Sequence, residues 1–113
     1  MLEPIRDFTY VKDTISAFIK ICESKNSVGQ VINIGTGTGT KIGDLVKTIM
    51  KLTKRTVKVN TDRIRIRPQK SEVMALICCN KKAKKILNWQ PSYSLTEGLI
   101  ETTMYIQQHM QNY

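Results

Sequence analysis

VINIGTGTGTKIGDLVKTIM, residues 31–50, decides how this 113-residue chain is read. Val31, Ile32 and Ile34 make a short apolar run that stops at Gly35, and Gly35, Gly37 and Gly39 mark a loop. Ile42, Leu45, Val46 and Ile49 then recur at the spacing of one helix face, with Thr40 as the expected N-cap and Lys54 and Arg55 closing the C-terminal end. Val57 and Val59 share one face of a second expected strand. Strand, helix and strand in about thirty residues make a βαβ unit, whose crossover sets its two strands parallel. Residues 30–34 and 56–60 are therefore expected as adjacent parallel strands joined by a helix at 42–52.

Upstream, Asp13 is placed to cap a helix in which Ile15, Phe18, Ile19 and Cys22 form an apolar stripe, widened by Ala17 and Ile21. So wide an arc needs cover on more than one side. Downstream, residues 63–67 alternate Arg and Ile up to Pro68, the period of an extended segment with one cationic face. A short helix over 81–87 would bury Ala83, Ile86 and Leu87, and Trp89 just beyond it is placed to plug a core. Ser94 and Glu97 have the spacing of a capping box for a last helix turning Leu99, Thr103, Ile106 and Met110 inward. The expected fold class is α/β, a small βαβ-containing domain with two short parallel strands and about four helices.

Composition limits the function. The chain has 41% apolar and 24% charged residues, which suits one modest domain. It lacks an apolar run long enough for a membrane span or signal peptide, so a soluble, cytoplasmic protein is expected. Cys22, Cys78 and Cys79 match no zinc pattern and no disulfide framework. The net charge of +9 is unevenly spread: residues 1–40 are neutral, residues 41–85 carry +11 and the remainder −2. A basic middle attracts phosphates, whether of a nucleotide, a nucleic acid or a membrane surface, or is simply a solvated lysine face. Residues 41–88 contain no Phe, Tyr or Trp, which argues against single-stranded nucleic acid as the partner.

The glycine run invites a dinucleotide-binding reading, but neither register fits. From Gly35 the third small position falls on Thr40, from Gly37 it falls on Ile42, and no acidic residue stands about twenty positions on. Lys41 also lacks the neighbours of a phosphate loop. A simple tight turn is expected, with no cofactor in this chain. His109, the one histidine, is expected on the surface of the last helix, and neither a catalytic constellation nor a metal site can be assembled. The anion-binding candidates are Arg6, the Arg63/Arg65/Arg67 row, Lys70 and Lys81 to Lys85, with arginine forks best suited to phosphate oxygens. Asp7 could instead pair with Arg6, and Glu72 with a neighbouring arginine.

Five blocks in order carry a resemblance: Arg6-Asp-Phe-Thr-Tyr-Val-Lys-Asp13, Val31-Ile-Asn-Ile-Gly-Thr-Gly37, Arg67-Pro-Gln-Lys-Ser-Glu-Val73, Asn80-Lys-Lys-Ala83 and Leu87-Asn-Trp-Gln-Pro91. Together they resemble the C-terminal part of an extended short-chain dehydrogenase/reductase acting on nucleotide sugars, most similar to the NAD-dependent 4,6-dehydratase branch (UDP-N-acetylglucosamine or GDP-mannose type). The resemblance implies a substrate-binding domain over residues 1–113, cut from an extended Rossmann-type enzyme whose NAD- or NADP-binding half, with its Tyr-x-x-x-Lys pair, is absent here. It implies that Arg6 and Arg67 reach a nucleotide pyrophosphate, that Asn33 lies near the same phosphates, and that Glu72 holds ribose hydroxyls. Cys79 and Lys81 depart from the family pattern at positions expected to cap the short helix. The implied function is binding of a nucleotide diphosphate sugar, without catalysis by this chain alone and with self-association through the surface left by the missing half. A small basic nucleic-acid-binding domain and a free-standing docking domain are the alternatives.

Overall fold

The computed structural model describes residues 2–60 and 73–112. The expected row at 63–67, together with Lys70, Arg67 and Glu72, lies outside the described residues. Strand β1 (Ile5–Arg6) is followed by helix α1 (Val11–Glu23), β2 (Thr40–Lys41), α2 (Ile42–Thr53), β3 (Ala75–Leu76), α3 (Lys81–Leu87) and α4 (Leu95–Gln108). Short 3-10 turns stand at Lys25–Ser27 and Met110–Asn112.

The α/β class and the four helices are as expected, and the structure contains one parallel pair of strands. The strands themselves are different ones. β1 is the centre of a three-stranded sheet in the order β2-β1-β3, antiparallel to β2 with Ile5 opposite Lys41, and parallel to β3 with Ile5 opposite Ala75. Ile5 N–H donates to the Met74 carbonyl at 2.8 Å and Asp7 N–H to the Leu76 carbonyl at 3.1 Å. The expected pairing of 30–34 with 56–60 is not found: neither segment is a strand. The physical reason is that apolar alternation marks a segment able to pair and says nothing of its partner. The parallel pair is supplied instead by β1 and β3.

Thr40 does not cap α2, because it is bonded into β2. The first α2 amides are met from the start of the chain instead, Ile42 N–H by the Pro4 carbonyl at 3.0 Å and Gly43 N–H by the Leu2 carbonyl at 2.9 Å. These bonds satisfy donors that any helix start leaves open. At α4 the capping box forms as read: Ser94 Oγ accepts from Glu97 N–H at 3.2 Å, and Glu97 Oε2 accepts from Ser94 N–H at 2.8 Å. Ser94→Ala is expected to cost about 1 kcal/mol, read as a lowered midpoint in urea unfolding with an unchanged slope.

The core lies between α1, α3 and the turn after α3. Ala17, Ala83, Leu87 and Trp89 are buried, with Ile21, Ile32, Ile34 and Ile86 packed partly against them. Trp89 fills the role expected of it, and its indole N–H donates to Ser16 Oγ at 2.8 Å. Asn88, in the left-handed region at φ 48°, ends α3. The N-cap of α3 is Asn80 rather than Cys79 or Lys81, and its side chain is used elsewhere.

Helix α1 packs by the opposite face from the one its apolar stripe suggests. Ile15, Phe18, Ile19 and Cys22 are exposed, whereas Asp13 and Ala17 are buried. Asp13 is not the cap; it lies in the first turn, and Tyr10 holds the N-cap position. Asp13 Oδ1 accepts from Ser92 N–H at 2.8 Å and Oδ2 from Tyr93 N–H at 3.2 Å. The carboxylate thus joins α1 to the turn before α4. A second tie between these helices is polar: Glu101 accepts from Tyr10 Oη at 3.0 Å and from Lys12 Nζ, and Tyr10 and Tyr93 meet at 4.8 Å between ring centres. Of the α4 positions read as inward, Leu99 and Thr103 are half-buried, while Ile106 and Met110 are exposed.

Candidate functional site

The first loop after β1 and the glycine run meet at one carboxylate. Asp7 Oδ1 accepts from Thr36 N–H at 3.0 Å and Thr36 Oγ1 at 2.6 Å; Oδ2 accepts from Gly37 N–H at 2.8 Å and Cys78 N–H at 3.2 Å. Asn80 Nδ2 donates to the Gly35 carbonyl at 2.9 Å. Three segments distant in sequence, 7, 35–38 and 78–80, are drawn together by these five bonds. Partial burial raises the Asp7 carboxyl, but the bonds from Thr36, Gly37 and Cys78 outweigh it and hold the group below the ordinary carboxylate value. Between Arg6 pairing and another role for Asp7, the structure gives these amides and this hydroxyl as the carboxylate's partners.

Two glycines make the approach close enough. A Cβ on buried Gly35 would stand 2.9 Å from Cys78 Sγ and 3.1 Å from Asp7 Oδ2. Gly37 has φ +75°, which turns its N–H toward Asp7. The tight turn expected of the glycine run is thus a clasp around an internal anion. Its amides form a nest of the kind that elsewhere takes a phosphate, and here the protein's own carboxylate takes it.

This clasp shapes one wall of an open pocket of about 670 Å³ lined by Arg6, Asn33, Ile34, Leu76, Cys78 and Cys79, among others. Two of the four residues named from the sequence, Arg6 and Asn33, therefore share a pocket; the other two, Arg67 and Glu72, lie outside the described residues. Arg6 extends from the central strand and donates from Nη1 to the Ile5 carbonyl at 2.8 Å. A guanidinium and a carboxamide on one wall offer planar donors to phosphate oxygens. Burial, then Asp7 and Cys79, push the Cys78 thiol up, which disfavours the thiolate form. His109 is half-buried and stacks on Tyr105 at 4.2 Å, away from the pocket lining. Among the described residues no cluster of three His, Cys, Asp or Glu could hold a metal ion, and no helix is long and apolar enough to cross a membrane.

Sequence reasoning named Arg6 and Asn33 but missed that Asp7 organises their pocket. Asp7 stands 29 residues before Thr36 and directly after Arg6, so nothing local in the sequence links it to the glycine run.

The family model described as GDP-mannose 4,6 dehydratase matches residues 1–102. The chain belongs to that family. It is 30% identical over 93 residues to a UDP-glucose 4-epimerase of Rhizobium meliloti, covering 80% of this chain and 27% of that protein. Among solved family structures, a UDP-glucose 4-epimerase of Thermotoga maritima with UDP-glucose superposes with a TM-score of 0.84 at 33% identity, over 96% of this chain and 33% of that one. A UDP-glucuronic acid 4-epimerase of Bacillus cereus with NAD gives 0.82 at 28%, over 99% and 33%. The resemblance to extended short-chain dehydrogenases/reductases with Rossmann-type architecture is thereby established, and family relatives include 4-epimerases as well as dehydratases. The chain spans about a third or less of the length of these relatives.

Proposed function

We propose that this chain is the nucleotide-sugar-binding part of an NAD-dependent epimerase or 4,6-dehydratase, and that the Arg6/Asn33 pocket receives the diphosphate of the nucleotide. The observation that carries this reading is the meeting of Arg6 and Asn33 in one open pocket whose wall is fixed by Asp7. The Thermotoga maritima relative is a structure with UDP-glucose, which fits the same ligand class. In this reading Arg67 adds a second guanidinium and Glu72 accepts from ribose hydroxyls.

The glycine loop does not fit NAD, because the Thr36 and Gly37 amides that would meet a pyrophosphate are bonded to Asp7. NAD supplies hydride acceptance at the sugar C4 hydroxyl, and in this reading it belongs to the remainder of the fold. This chain holds and orients the nucleotide and performs no chemistry alone.

A titration of the 15N-labelled chain with UDP tests the reading. Weak, saturable binding is expected, with amide shifts at Arg6, Asn33 and Arg67, and no saturable NAD binding at Gly35 to Gly39. Shifts confined to Lys81–Lys85 would replace the nucleotide site with a nonspecific polyanion surface, the reading favoured by the basic middle of the chain.

A further inference from the structure

Helices α2 and α4 face each other across a groove that their side chains do not fill. Its wider part, about 450 Å³, is lined by Ile49, Met50 and Thr53 of α2, by Val57 beyond it, and by Ile106 and Met110 from the α4 side. Its narrower part, about 190 Å³, continues past Ile49, which lines both, to Leu45, Leu99 and the paired rings of Tyr10 and Tyr93. Positions 45, 49 and 53 share one face of α2, and positions 99, 103 and 106 share one face of α4. Val57 and Met110 remain 57% and 62% exposed along this path.

The threonines in the lining do not make it polar. Thr53 Oγ1 donates to the Ile49 carbonyl at 2.8 Å and Thr102 Oγ1 to the Gly98 carbonyl at 2.7 Å, so both hydroxyls are turned back into their own helices. Charge is confined to the wide end and has one sign. Arg55 lines it, with exposed Lys51, Lys54 and Lys58 close by in sequence, and neither residues 49–60 nor residues 102–112 contain a carboxylate. Among the described residues no carboxylate pairs with Arg55. The nearest acidic groups of α4, Glu97 and Glu101, are engaged by Ser94 and by Tyr10 and Lys12.

An apolar trough with an unpaired guanidinium at its mouth is complementary to a molecule that is anionic at one end and apolar along the rest. We propose that the α2–α4 groove binds a single-chain anionic amphiphile, a medium-chain fatty acid, with its carboxylate on Arg55 and its alkyl chain lying between Ile49 and Ile106 toward Leu45 and Leu99. The planar fork of Arg55 meets both carboxylate oxygens. Thr53 to Leu45 is about 12 Å of helix, which sets the length of chain that is covered. Neither Arg6 nor Asn33 lines the groove, so the UDP titration and this inference fail independently.

The test titrates the 15N-labelled chain with decanoate below its micelle concentration. Saturable one-to-one binding is expected, with amide shifts at Ile49, Thr53, Arg55 and Ile106 and none at Arg6 or Asn33. Octanoate, shorter by two methylenes, should bind about tenfold more weakly. Arg55→Ala should weaken decanoate about tenfold and leave decanol unchanged, whereas Ile106→Glu and, separately, Met110→Glu should weaken both ligands about tenfold. All three side chains are exposed, so the thermal midpoint of the unliganded chain should not move. Absence of saturable binding overturns the proposal, as does equal affinity for decyltrimethylammonium, which carries the opposite charge. Binding to vesicles of anionic phospholipid without binding of decanoate would replace it with a membrane surface, and a dimer of the chain that Ile106→Glu dissociates would replace it with a second copy.

Discussion

Asp13→Ala is expected to be the most damaging single change in the chain, costing about 2–5 kcal/mol as two part-buried amides lose a buried charged acceptor. Asp13 is 1% exposed, and it meets Ser92 and Tyr93 across 79 and 80 residues of sequence. Small domains have about 5–15 kcal/mol to lose in total. Among the described residues the buried hydrophobic core is limited to Ala17, Ala83, Leu87 and Trp89, so little else compensates. Asp13→Asn retains one oxygen for Ser92 and turns an amide nitrogen toward a donor, and should lose about half as much. The measurement is urea unfolding followed by far-UV circular dichroism. A midpoint unchanged in Asp13→Ala would show that the turn before α4 is held by Trp89 and the capping box alone.

Asp7→Ala should follow in severity, at about 2–4 kcal/mol, because three amides and one hydroxyl lose a charged acceptor while part of the site can admit water. Its distinguishing mark is pH. The folded Asp7 carboxyl lies below its ordinary value, so the native state binds this proton less readily than the unfolded state does. The stability it confers is present in full above the unfolded carboxyl value and is lost as pH falls through the lower folded one, that is, below about pH 4. Asp7→Asn should flatten that acid limb and leave the neutral-pH slope unaltered. Glu97 and Glu101 are also held low, by bonds from Ser94 and from Lys12 respectively, and supply the part of the limb that remains. A limb of identical depth in Asp7→Asn would contradict the clasp.

What the sequence discloses divides by distance along the chain. The α3 helix, the Ser94–Glu97 box and the Trp89 plug are settled by residues within a turn or two of one another, and each stands as read. The sheet depends on Ile5 meeting residues 41 and 75, and no periodicity at 31–34 or 56–60 carries that information. Helix α1 shows a different limit. Its apolar stripe correctly marks an amphipathic helix, but the assumption that an apolar face turns inward fails in this chain, where the face with Asp13, Ser16 and Ala17 is packed. Small side chains at that spacing permit close approach and were the available clue. In the candidate pocket Arg6 and Asn33 could be named because an arginine fork and a carboxamide declare their chemistry. Asp7 could not, since a carboxylate beside an arginine in sequence reads first as an ion pair.

The central position of β1 sets the order of events when the chain is made. Ile5 and Arg6 leave the ribosome some seventy residues ahead of their parallel partner, and the donors to Asp13 wait until residues 92 and 93. Closing such long loops precedes any reward from the contacts they bring, which slows folding. Through most of translation the nascent chain therefore carries α1 with both faces open, an interval in which chaperones and aggregation compete for the same apolar residues.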